Sequence, residues 1–243
     1  MFTVEAIDLR TFSCTKKAFV LFLCIVCLSF SAHAEIRTDL PYGGLFTPPI
    51  EMRWMAAGWA KSLENVTADI AFFGDSITFG GKWEEAFPDQ MSINLGVSGD
   101  SAFNLAIRMP LIETLMPSKC FMMIGVNDLL YQETIKEILE MYEWLLIELN
   151  EQRQTYGLTV YLQSILPVNE DQCVYDVSNQ DIKTLNNGIQ KLASDYGMIY
   201  IDLFPLFTDE EGMLAVQYSY DGLHLSDEGY RIWYDTLLPF VEE

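Results

Sequence analysis

A serine hydroxyl becomes a nucleophile only when a neighbouring base takes its proton, and this chain holds residues of the right types for that work. The apolar run beginning at Ile70 ends abruptly in Gly74-Asp75-Ser76, so a strand-like segment delivers a small residue, a carboxylate and a hydroxyl in succession. Neutral imidazole suits the base because its pKa lies near working pH, and the 243-residue chain has two histidines, His33 and His224. Asp221 stands three residues before His224, close enough for its carboxylate to hold one ring nitrogen and free the other for a serine. Acyl transfer also needs donors where a tetrahedral intermediate carries negative charge. Asn127 offers a side-chain amide, and the glycines of segment 94–101 let a backbone N–H approach a substrate closely. The amide of Ser76, at the start of a helical turn, is a third donor. Each feature alone has a plainer reading: a lone histidine is more often structural, and Asn127-Asp128 reads as a turn or helix cap.

These residues need elements to bring them together. Apolar runs at 70–73, 91–95, 120–124, 159–166 and 198–203 have strand character. Helical patterns occupy 101–115, 132–154 and 181–196, with a further helix expected at about 49–63. A last amphipathic segment, 226–241, opens with Ser226 as N-cap and Asp227 and Glu228 in its first turn. Strands alternating with helices predict crossover connections and a parallel sheet covered on both faces. Ligands of such sheets bind outside the carboxyl ends of the strands. Gly74-Asp75-Ser76, segment 94–101 and Gly125-Val126-Asn127-Asp128 follow the first three strands, so all three gather on one edge.

The amino terminus reads separately. Lys16 and Lys17 precede an apolar stretch, 18–30, that ends in Ser31-Ala32-His33-Ala34. This is the pattern of a secretory signal cut after Ala34, and the stretch is short for a membrane span. The expectation is a signal peptide over 1–34, one domain over 35–243, and a periplasmic or extracellular location. Removal would leave His224 as the only histidine. The formal net charge of −21 would grow more negative, because the leader carries three basic and two acidic residues. Such a surface repels nucleic acid and anionic membranes, so neither is expected as a partner. Cys120 and Cys173 would remain, too few for a disulfide scaffold. Metal hydrolysis lacks ligands, with no His-Glu-x-x-His and no paired-cysteine motif, and no cofactor is expected. A carboxylate-pair glycosidase is compatible with the acidic composition but leaves the polar segments unexplained. Gly-Asp-Ser occurs twice, and Ser101 reads as the cap of the helix that follows it, which favours Ser76 as nucleophile.

FGDSIT (73–78), NLGVSGDS (94–101), GVND (125–128) and DGLH (221–224) resemble, in order, the four sequence blocks of the SGNH or GDSL hydrolase superfamily. The resemblance spans most of 68–240, with Ile77 where the family name has leucine. It implies a flavodoxin-like, three-layer α/β/α fold with a five-stranded parallel sheet, and ester hydrolysis through an acyl-serine intermediate. It makes Ser76 the nucleophile, His224 the general base and then acid, and Asp221 its orienting carboxylate. Gly99 and Asn127, with the Ser76 amide, become the oxyanion hole. The segment 208–233 is similar to secreted bacterial members related to platelet-activating-factor acetylhydrolase subunits and sugar O-acetylesterases, which mostly remove short acyl groups. The expected function is therefore an exported carbohydrate O-acetylesterase whose substrate is a small-molecule or glycan ester, with no stable membrane association. A lysophospholipase-like or broad short-chain esterase, and a glycan acyltransferase or binding module on the same fold, stay open as alternatives. Trp54, Trp59 and Trp83 could stack on sugars but read first as core or helix-packing groups.

Overall fold

The computed structural model describes Leu63 and residues 65–243. The leader, Trp54, Trp59 and all but the last residue of the helix expected at 49–63 lie outside the described residues. A strand covered on both faces has no need of polar alternation, and β1 (Ile70–Gly74) is buried at every position. It lies between β2 (Ser92–Gly96) and β3 (Lys119–Met123), followed outward by β4 (Thr159–Gln163) and β5 (Ile199–Ile201). All pairings are parallel, in the order β2-β1-β3-β4-β5. This is the flavodoxin-like order, whose switch point falls between β1 and β3.

The five strands lie where the apolar runs predict, with two ending early. β4 stops at Gln163 because the Asn186 side chain takes over both backbone groups of Ile165, at 2.8 and 2.8 Å. β5 has only three residues, and the N–H groups of Leu203 and Phe204 turn instead to the Ser164 hydroxyl, both at 2.8 Å. The first connection is not a long crossover helix but two short ones, α1 (Ser76–Phe79) and α2 (Trp83–Ala86).

The helix expected at 101–115 is divided. α3 (Ala102–Arg108) ends at Met109, and Pro110, which has no N–H to continue the ladder, opens α4 (Pro110–Leu115). After β3 comes the short α5 (Val126–Leu130), then α6 (Ile135–Tyr156). Thr134 and Glu137 form a reciprocal capping box at the start of α6, and Gly157, at φ 86°, closes it. α7 (Asn179–Asp195), the single turn α8 (Phe204–Phe207) and α9 (Asp227–Glu242) complete the chain. The Ser226 hydroxyl caps α9 as its sequence predicts, accepting the Gly229 N–H at 3.3 Å.

Successive residues of a strand face opposite layers. Phe73 faces α3, where Arg108 lies 4.8 Å over its ring, and α3, α6 and α7 pack side by side. Phe72 faces α2 and α9. There the register aligns Phe72 with Phe121 and Phe121 with Tyr161, giving ring centroids 5.2 and 4.4 Å apart. Trp83 stacks on Phe72 at 3.9 Å and meets Trp233 edge-on at 4.9 Å. Trp83 is thus a core residue. Its indole N–H donates to the Thr78 carbonyl at 2.9 Å, tying α1 to the core. Replacing a buried aromatic by alanine leaves a cavity that the surroundings only partly fill. Trp83→Ala should therefore lower unfolding free energy by about 3–5 kcal/mol in urea titrations; a loss below about 1 kcal/mol would contradict this packing.

Candidate active site

The end of β1 shows why the apolar run stops at Gly74-Asp75-Ser76. A side chain on Gly74 would meet the Met123 carbonyl and the Thr78 hydroxyl, each at 2.3 Å, so the strand ends where neighbouring chains press closest. Asp75 then caps α1, its buried carboxylate accepting the Ile77 N–H at 2.9 Å. Ser76 follows as the first residue of α1. A first-turn N–H has no acceptor within its own helix, so the Ser76 amide is available to an anion, and the helix end favours negative charge there.

The Ser76 hydroxyl lies 3.0 Å from Nε2 of His224, across 148 residues of chain. On the other side of the imidazole, Nδ1 lies 2.7 Å from Oδ2 of Asp221. Oδ1 of the same carboxylate accepts the backbone N–H of His224 at 2.7 Å and of Leu223 at 3.0 Å. Partial burial raises the Asp221 pKa, but these hydrogen bonds outweigh it and hold the carboxyl below its ordinary range. An ionised carboxylate only accepts. Nδ1 therefore carries the proton, and Nε2 faces the serine hydroxyl as an acceptor. That is the arrangement a general base requires.

The loop carrying Asp221 and His224 is fixed by its own residues and by the segment after β4. The Ser219 hydroxyl accepts the N–H groups of Asp221 and Gly222, at 3.3 and 2.9 Å, and donates to the His224 carbonyl at 2.7 Å. Gly222 has φ +84°, and a β-carbon there would meet the Cys173 nitrogen at 2.6 Å and the Asn169 carbonyl at 3.0 Å. The Gly222 carbonyl in turn accepts the Asn169 N–H at 2.8 Å. Tyr220, exposed at the surface, stacks its ring 5.9 Å from the imidazole.

Gly99 and Asn127 come from the loops after β2 and β3. Gly99 has φ +79°, a conformation that glycine adopts freely, and its carbonyl accepts the Tyr131 hydroxyl at 2.9 Å. Asn127 lies in the first turn of α5, buried, and one of its amide N–H groups donates to the Asp100 carbonyl at 2.9 Å. Ser101 serves as the cap of α3, accepting the Asn104 N–H at 3.4 Å. Thus Ser76, Asp221 and His224 form one hydrogen-bonded chain. The Ser76 amide, Gly99 and Asn127 follow the carboxyl ends of β1, β2 and β3, beside the switch point.

Several contributors are not evident from sequence. Arg108 is buried beneath the edge and donates to the carbonyls of Leu95 and Gly74, at 2.7 and 3.2 Å, while pairing with Asp100. Asp128 accepts the Ala102 N–H with both oxygens, at 2.9 and 3.1 Å, anchoring α3. Desolvation pushes the Asp128 carboxyl up to about 7, and the Asp75 carboxyl likewise to about 7. The DxxH and GxND spacings disclose the end residues, but no spacing announces Arg108, Tyr131 or Ser219.

Two predictions follow from this geometry. A methyl group at Gly222 must displace the base loop or the Asn169–Cys173 segment, so Gly222→Ala should remain folded while kcat/KM on p-nitrophenyl acetate falls at least about tenfold. Undiminished activity would contradict the tight loop contact. An Asp128 carboxyl whose pKa is 3.8 unfolded and about 7 folded holds a proton that the unfolded chain releases. Its contribution to stability therefore declines as pH rises from 3.8 to about 7 and is level above that. Asp128→Asn removes this slope and leaves that of Asp75. Its Tm should fall less than that of the parent between about pH 5 and pH 7; an equal or larger fall would contradict the raised pKa.

Residues 72–232 match the GDSL-like Lipase/Acylhydrolase family. An isoamyl acetate-hydrolyzing esterase of Saccharomyces cerevisiae is 32% identical over 68 residues, 28% of this chain and 29% of the yeast protein, so the match covers under a third of that relative. A Streptococcus pneumonia structure, provisionally described as a platelet activating factor, is similar with a TM-score of 0.68 and 28% identity, over 79% of this chain and 94% of that one. A GDSL-like lipase from Bacteroides thetaiotaomicron shares the fold with a TM-score of 0.63 and 22% identity, over 78% and 97% of the chains. The acetyl xylan esterase AlAXEase also shares it, with a TM-score of 0.60 and 24% identity, over 72% and 100%. With a parallel five-stranded sheet and residues 72–232 matched, the chain belongs to the GDSL-like lipase/acylhydrolase family.

Proposed function

We propose that this protein is an exported serine esterase that removes short acyl groups, above all acetyl, from carbohydrate hydroxyls. The observation that carries the chemistry is the continuous relay from Asp221 through His224 to Ser76, at 2.7 and 3.0 Å. In the proposed reaction Nε2 of His224 takes the Ser76 proton as Oγ attacks the ester carbonyl. The imidazolium that forms is stabilised by the ionised Asp221, and the carbonyl oxygen becomes an oxyanion. The Ser76 and Gly99 amides and the second N–H of Asn127 are the donors assigned to that oxyanion. His224 then gives its proton to the leaving alcohol, and the acyl group rests on Ser76. Water, activated by the same imidazole, attacks the acyl-serine and restores the enzyme.

Support for a short acyl group comes from the yeast relative, which hydrolyses isoamyl acetate, and from the presence of acetyl xylan esterases among proteins of this fold. Support for a ring-shaped alcohol comes from two exposed aromatic rings at the site. Tyr220 stacks beside the base and Tyr131 is bonded to Gly99, with 72% and 58% of their surfaces exposed. Rings with one polar tip suit the mixed apolar and hydroxylated faces of a sugar. Export rests on the leader pattern of 1–34 and on the acidic composition.

The test compares the protein with Ser76→Ala and His224→Ala on p-nitrophenyl esters of increasing acyl length and on acetylated xylo-oligosaccharides. The expected result is activity highest for acetate, release of acetate from the oligosaccharides, and a loss of roughly 10⁴-fold or more in kcat for both variants. A preference for long acyl chains would favour the lysophospholipase-like alternative, and activity surviving Ser76→Ala would remove the assigned nucleophile.

A further inference from the structure

The loop carrying Gly99 is held from two sides, by Arg108 and by Tyr131. From beneath, the Arg108 guanidinium joins three chain segments. Nη1 donates to the Leu95 carbonyl near the end of β2 at 2.7 Å, and Nη2 donates to the Gly74 carbonyl at the end of β1 at 3.2 Å. Nη2 also pairs with the Asp100 carboxylate, and both side chains are buried. The Asp100 backbone carbonyl accepts one N–H of Asn127 at 2.9 Å, which orients the amide and leaves its second N–H free to point elsewhere. From outside, the Tyr131 hydroxyl at the end of α5 holds the Gly99 carbonyl at 2.9 Å. The carbonyls of Gly99 and Asp100 and the Asp100 carboxylate are thus all tethered, while Gly99 sits at φ +79°.

A buried ion pair is a weak source of stability, since desolvation offsets most of its attraction and apolar residues of similar size often do better. Its place beneath the edge where Ser76 emerges points to another role. Resting on the oxyanion assignment made above, we propose that Arg108 and Tyr131 are positioning residues of the oxyanion hole. Arg108 fixes Asp100 to the ends of β1 and β2, Tyr131 fixes Gly99 to α5, and together they set the directions of the Gly99 N–H and the Asn127 amide. Neither touches the reacting atoms; each acts by keeping donors where the developing charge will be, so that no reorganisation is needed at the moment of reaction.

The experiment uses the full chain with Arg108→Lys, Tyr131→Phe and Asn127→Ala, alone and combined, with active sites counted by stoichiometric p-nitrophenol release from diethyl p-nitrophenyl phosphate. Lysine keeps the charge but is a point donor that cannot span two strand ends and a carboxylate. Tyr131→Phe deletes one hydroxyl at an exposed position, so it decides the matter even where Arg108→Lys fails to fold. Per titrated site, kcat on p-nitrophenyl acetate should fall about tenfold in Arg108→Lys and about threefold in Tyr131→Phe, fractions of the loss expected for a deleted donor. KM should change less than about twofold, the pH–rate profile should stay in place, and each loss should shrink in the Asn127→Ala background, as coupled residues require. A purely structural role would lower Tm and the number of titratable sites but leave kcat per site at the parent value in both variants, which would overturn the proposal. Full additivity with Asn127→Ala would overturn it too. If Asn127→Ala itself leaves kcat unchanged, the oxyanion assignment fails; if Asn127→Ala is slow and the two tether variants are not, only the present inference fails.

Discussion

The hydrogen bond between the Ser76 hydroxyl and His224 joins two loops separated by 148 residues, and most of the molecule is arranged so that this bond can form. Ser76 is set by β1, buried on both faces and terminated by the Asp75 cap. His224 is set by Ser219, by the Gly222 contact with Asn169 and Cys173, and by α9, whose Trp233 packs edge-on against Trp83 in the core. The Trp83 indole is bonded to Thr78 in α1. The aromatic core therefore fixes the element carrying the serine and the helix that follows the histidine loop against one another.

Beneath the site the protein buries charged groups among apolar ones. Asp75, Asp100, Arg108 and Asp128 all lie under the carboxyl edge of the sheet. Desolvation makes such groups expensive to fold around, which shows in the raised pKa values of Asp75 and Asp128. What they supply is rigidity at backbone positions. Asp75 holds the first turn of α1, Asp128 the first turn of α3, and Arg108 the ends of β1 and β2. On the proposed mechanism this is the expected exchange, because donors aimed in advance at a developing oxyanion are worth more than the stability lost in holding them.

The strands were legible because parallel strands buried on both faces read as continuous apolar runs, and the long helices because their buried faces repeat at helical spacing. The division at Pro110 was signalled by the proline, yet the apolar pattern runs through it and reads as one helix. The short helices α1, α2, α5 and α8 are set by caps and by crowding at strand ends rather than by periodicity, so pattern alone does not reveal them. At the site, Ser76, Asp221, His224, Gly99 and Asn127 stand in short motifs whose residue types suggest their chemistry. Arg108 and Tyr131 do not. Arg108 resembles any basic residue in the last turn of a helix, and its importance arises only when the pairing of β1 with β2 brings the Gly74 and Leu95 carbonyls within reach of its guanidinium. Tyr131 acquires a partner only because β3 and β2 deliver their loops to the same edge.

The most direct test of the account is to identify the atom that carries the acyl group. The protein would be mixed with p-nitrophenyl acetate, quenched in acid within the first turnover, digested and examined by mass spectrometry. The account predicts one acetyl group on the peptide containing Ser76, absent in Ser76→Ala. Acetylation located at Ser101 or at another residue, with Ser76 unmodified while product forms, would contradict it.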